Sequence, residues 1–97
     1  TGDTITAERG YELGFVNRVV ERGDAVDTAL ALAAAIELNA PLALMASKQI
    51  LIESPDWSLD EEFDRQAAIS GPVFTSEDAR EGATAFAEKR DPVWKGR

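Results

Sequence analysis

Thr75-Ser76-Glu77-Asp78-Ala79-Arg80-Glu81-Gly82-Ala83-Thr84-Ala85-Phe86-Ala87-Glu88-Lys89-Arg90 is the stretch that decides the fold class. It opens on a hydroxyl residue able to cap the first orphan N–H groups of a helix, and acids follow at the positive end of the dipole. Ala79, Gly82, Ala83, Phe86 and Ala87 recur at spacings of three and four, so they line one face with mostly small side chains. Gly82 costs about 1 kcal/mol relative to alanine in a helix interior. It reads either as a site of close backbone approach or as a plain weak position. Asp91-Pro92 stops the helix, and Val93-Trp94-Lys95-Gly96-Arg97 reads as an exposed tail.

Working upstream, Gly71-Pro72 is expected to disturb or end the preceding helix, which continues Phe63, Ala67 and Ser70 at spacings of four and three. Ser58-Leu59-Asp60-Glu61 matches a capping box at its start. Before it, Pro41 suits the first turn of a helix whose apolar residues Leu42, Leu44, Met45, Leu51 and Ile52 occupy more than one face, which predicts burial on two sides. Asp24 suits the N-cap of another helix, faced by Val26, Leu30, Ala33 and Ile36. Phe15-Val16-Asn17-Arg18-Val19-Val20 is short and rich in β-branched residues, so it predicts a strand, whose partner is expected to lie outside this chain. Thr6 and Gly14 bracket a short helix ahead of it. The expected fold is mainly α: a short helix, one short strand, then four helices.

Composition narrows the chemistry. Ninety-seven residues make one domain or part of one, and the 44% apolar content leans on sixteen alanines. The absence of cysteine and histidine removes disulfides, thiolate metal sites and the histidine-dependent nucleophile systems. A net charge of −8 argues against a nucleic-acid partner. No apolar run approaches the ~20 residues of a membrane span. The expectation is a soluble, cytoplasmic chain with no membrane partner. Because the chain begins at Thr1, without an initiator methionine or signal peptide, it reads as a piece of a longer protein.

The acids Asp60, Glu61, Glu62 and Asp64 would point to different helix faces, which suits dipole complementation better than a metal site. Lys48, in an otherwise apolar stripe, reads as a stem laid on the core. The charge is uneven. Residues 88–97 hold four basic and two acidic side chains, and the rest of the chain holds six and sixteen. A basic end on an acidic body fits either a small-anion site or complementation of the last helix's dipole.

Three stretches together carry a family resemblance: Thr1 to Glu8 leading into Leu13-Gly14-Phe15-Val16-Asn17-Arg18-Val19-Val20; Asn39-Ala40-Pro41-Leu42-Ala43; and Ser76 to Arg90. The chain resembles the C-terminal part of the enoyl-CoA hydratase/isomerase, or crotonase, family. The resemblance implies that residues 1–23 end a spiral core and residues 24–97 form a helical region that associates subunits into homo-oligomers, trimers or hexamers. It implies a parent lyase that hydrates the α,β double bond of acyl-CoA, with its oxyanion hole and acid–base glutamates upstream. On that basis no catalytic or metal-binding residue falls in this chain, which alone is expected to be inactive. No separate cofactor is expected, coenzyme A being part of the substrate. Phe86 and Lys89, expected on one face of the final helix, match residues that meet the adenine and 3′-phosphate end of CoA. Ser70 and Phe74 match positions near the acyl pocket. The alternatives are a crotonase-family isomerase or a non-catalytic helical association module.

Overall fold

Thr6 opens the first helix, its hydroxyl accepting from the N–H of Arg9 at 3.2 Å. In the computed structural model, which describes residues 2–97, this helix is α1 (Ala7–Glu12). It is followed by α2 (Ala25–Glu37), α3 (Pro41–Glu53), a 3-10 turn (Ser54–Asp56), α4 (Glu62–Phe74) and α5 (Glu77–Glu88). The chain divides into two units, residues 1–34 and 35–97.

In the first unit, Gly14 takes the left-handed conformation (φ 85°) that turns the chain out of α1. The described residues contain no strand, so the strand expected over Phe15–Val20, with its partner outside this chain, is not formed here. The N–H groups of Phe15 and Val16 both donate to the carbonyl of Gly10, each at 3.2 Å, so the start of the run is tied to α1. Val16 then lies against Gly10, where an added methyl group would stand 2.7 Å from Val16 Cγ2. Farther along, Asn17, Arg18 and Val20 line a cleft of about 190 Å³ with Ala25, Ala29 and Leu32 of α2. A β-prone run with no partner strand thus remains irregular.

In the second unit α3 packs on α4, and α4 on α5. The expected capping box does not form: α4 begins at Glu62 without a side-chain cap, and Ser58 instead accepts through its carbonyl from the N–H groups of Glu61 and Glu62. Gly71-Pro72 does not end α4 either, which runs on to Phe74 with Pro72 inside its last turn. The clash that drives a residue out of the helical region before proline involves its Cβ, and Gly71 has none. Nothing lies within 4 Å of where that Cβ would be, so packing does not demand this glycine.

The core is small. Ala85 is the one buried apolar side chain among the described residues. On α3, Leu42, Leu44 and Ile50 are half-buried while Met45, Leu51 and Ile52 are exposed, so the stripe carrying Met45 and Ile52 is bare and the stripe shared by Leu44 and Leu51 is half covered. Phe63, Phe74 and Phe86 are each at least 75% exposed. The chain exposes 8080 Å², whereas two separate globules with the masses of its two units would expose about 6500 Å² together.

Candidate functional site

The chemistry-bearing residues concentrate along α5 and the tail that follows it. Ser76 caps the helix, accepting from the N–H of Ala79 at 3.0 Å and donating to the Val73 carbonyl at 2.7 Å. At the other end the N–H of Arg90 donates to the Ala85 carbonyl (3.0 Å) and that of Lys89 to the Phe86 carbonyl (3.3 Å). This Schellman pair requires a left-handed residue at position 89. Lys89 takes it, with φ 54° and ψ 43°.

Val93 and Lys95 to Arg97 are exposed, as expected from the sequence, with Trp94 half-buried, yet the tail is tethered. It folds back along α5 and is held there by two acids one turn apart. Asp78 is 1% exposed. Its carboxylate accepts from the N–H groups of Lys95 (2.7 Å) and Gly96 (2.8 Å), and its own N–H donates to the Arg97 carbonyl (3.1 Å). Glu81 accepts from Nη1 of Arg90 (2.6 Å), Nη2 of Arg90 (3.1 Å) and the N–H of Val93 (2.9 Å). The Arg90 guanidinium, with the Val93 N–H second, holds the Glu81 carboxyl at a pKa of about 2. Between these anchors the indole of Trp94 lies over Gly82, where an added Cβ would be 3.1 Å from the ring, and its Nε1–H donates to the Leu38 carbonyl at 2.8 Å. Gly82 is thus a site of close approach, by a ring and not by backbone.

The basic end largely answers itself. Arg90 also pairs with Glu88 (2.6 Å), and Lys95 and Arg97 pair with Glu77 at 3.5 and 3.3 Å. Arg97's charge is the main cause holding the Glu77 carboxyl below its ordinary value. Among the described residues Lys89 alone of these four cations has no acidic partner.

Phe86 projects from the last turn of α5, 88% exposed. Lys89 is also exposed, though not on the helix itself as the sequence suggested: it is the left-handed residue just past the end. Ser70 donates its hydroxyl to the Gln66 carbonyl at 2.9 Å. Phe74, one turn on, helps line a cleft of about 300 Å³ with Leu42, Val73, Gly82 and Trp94. Ser70 does not line it. The cleft follows α5 from Ser76 as far as Ala83, so only about 5 Å of helix rise separates its near end from the Cα of Phe86, and Phe86 does not line it. Sequence reasoning missed Asp78 and Glu81. Their only signal was that both acids lie three apart ahead of a tail with no predicted structure. The Asp60–Asp64 acids gather no metal-binding group of three among the described residues, and Glu61 pairs with Arg65 at 3.2 Å. No single helix there is long and apolar enough to cross a membrane.

A sequence profile of the enoyl-CoA hydratase/isomerase family matches residues 1–97. A carnitinyl-CoA dehydratase of Salmonella paratyphi A is 43% identical over 101 residues, covering all of this chain and 39% of that protein. The crystal structure of an enoyl-CoA hydratase from Mycobacterium tuberculosis H37Rv superposes with a TM-score of 0.98 at 55% identity, over all of this chain and 38% of that one. That of a probable enoyl-CoA hydratase/isomerase from Mycobacterium abscessus gives 0.94 at 56% identity, again over 100% and 38%. The chain therefore spans about two fifths of the length of the relatives it matches.

Proposed function

The chain belongs to the enoyl-CoA hydratase/isomerase family, and from that premise we propose that it is the C-terminal part of an enoyl-CoA hydratase, where it supplies association helices and part of a CoA site. The parent would add water across the α,β double bond of an acyl-CoA thioester. Its oxyanion hole and acid–base glutamates would lie upstream of this chain, which alone would be inactive. Stabilisation of developing charge by a preorganised site does not survive removal of the site.

The observation that carries the CoA role is the end of α5, where Phe86 is bare and Lys89, three residues on in sequence, is exposed with no acidic partner among the described residues. A ring face suits adenine, and an ammonium suits a phosphate. The bare Met45 and Ile52 stripe of α3 and the surplus exposed surface support association through residues 24–97, as a trimer or hexamer of the parent. Phe74, through the cleft it lines, is the better supported of the two acyl-pocket positions, and Ser70 the weaker.

The test is kinetic. In the longer enzyme, Phe86→Ala should raise KM for an enoyl-CoA and leave that for the matching enoyl-pantetheine unchanged. Lys89→Gln should reduce the preference for CoA over dephospho-CoA thioesters by roughly fivefold, the scale of one exposed ion contact. Unchanged preferences in both variants would remove α5 from the site.

One finding favours a second reading. Curated relatives at 43% identity are named carnitinyl-CoA dehydratase, and on that reading the parent removes water from a hydroxyacyl-CoA instead. Assaying both directions with a carnitinyl and a straight-chain thioester separates the two.

A further inference from the structure

Lys89 is the only residue other than glycine with a positive φ among the described residues. An L side chain is strained there, and a strained residue that is not glycine persists where its surroundings over-determine it. Two sets of bonds do so here. The Schellman pair fixes the main chain on either side of Lys89. Glu81, two turns back on α5, grips the far side of the turn by both Nη atoms of Arg90 and by the N–H of Val93. Lys89 thus sits between a helix end and a clamped neighbour. The clamp also answers the charge of Arg90, which Glu88 shares, while Lys89 keeps its charge unpaired.

We propose that Glu81 is a positioning residue for anion binding at Lys89: by holding Arg90 and Val93 it locks the left-handed turn that presents the Lys89 ammonium. The inference rests on the reading of Lys89 as the cation for the 3′-phosphate of CoA, and adds the group that fixes where that cation stands. Glu81 touches no substrate in this scheme and acts only through the turn.

The experiment uses the longer enzyme, with an enoyl-CoA and the same enoyl thioester of dephospho-CoA as paired substrates. Glu81→Gln keeps an acceptor for Val93 and removes the charge that clamps Arg90. It should raise KM for the CoA thioester roughly threefold, with kcat and the dephospho-CoA KM unmoved, because only ground-state binding of the phosphate is lost. Arg90→Gln opens the same clamp from the other side and should give the same pattern, which guards against a Glu81→Gln enzyme that fails to fold. Asp78→Ala, which frees only the far end of the tail, should leave the preference alone. If Lys89→Gln lowers the preference but neither Glu81→Gln nor Arg90→Gln does, Glu81 does not position Lys89. A preference that rises in Glu81→Gln, as a released Arg90 reaches the phosphate, overturns the proposal equally. If Lys89→Gln itself has no effect, the phosphate reading fails and the positioning role falls with it.

Discussion

Replacing Asp78 with alanine should release the end of the tail while leaving its beginning in place. The carboxylate is 1% exposed and accepts from two main-chain N–H groups at 2.7 and 2.8 Å. A hydrogen bond to a charged group contributes about 1.5–3 kcal/mol, so the two together contribute at least about 3 kcal/mol to holding Lys95 and Gly96 down. At about 1.4 kcal/mol per tenfold, losing them should speed amide hydrogen exchange at both residues on the order of 10²-fold. Val93 provides the internal control, since its N–H is held by Glu81 and not by Asp78. Exchange resolved by residue in the longer protein reads all three amides at once. Unchanged rates at Lys95 and Gly96, or an equal acceleration at Val93, would refute the view that two separate acids hold two parts of the tail.

Phe86→Ala should cost little stability: at 88% exposure only about 25 Å² of the ring is covered, or about 0.6 kcal/mol. Chemical denaturation checks this, and a loss of about 3–5 kcal/mol would mean the ring is buried in the longer protein. Gly10→Ala should destabilise by about 1–3 kcal/mol, because its methyl would meet Val16 Cγ2 at 2.7 Å; a thermal midpoint equal to wild type would oppose it. The Glu81 carboxyl, held at about 2 against an ordinary 4.5, contributes stability that is complete above about pH 4.5 and is lost as pH falls toward 2. The Val93 amide shift should therefore titrate with a midpoint near 2, and a midpoint near 4.5 would show that the clamp does not form in solution.

Helix content was legible because caps and periodicity are local: Thr6, Ser76 and Gly14 act where the sequence put them. The errors fall where a partner decides the outcome. Phe15–Val20 has strand propensity, but a ladder needs a second strand, and Gly10 offers its carbonyl instead. Pro72 sits inside the last turn of α4, where Gly71 before it has no Cβ to add to the clash with the proline ring. Phe86 and Lys89 were found through resemblance, whereas Asp78 and Glu81 look like ordinary first-turn and surface acids until the tail folds onto them. A contact between Asp78 and Gly96 spans 18 residues, and no periodicity encodes it.

The left-handed lysine bears on how this protein should be engineered. Glycine at position 89 would relieve about 1–2 kcal/mol of backbone strain, so a library sorted only by heat resistance would enrich Lys89→Gly. On the proposed reading such winners would have discarded the ammonium that the fold holds in that costly conformation. Their melting curves would improve while their demand for substrate rose, a loss invisible to any screen run at saturating thioester.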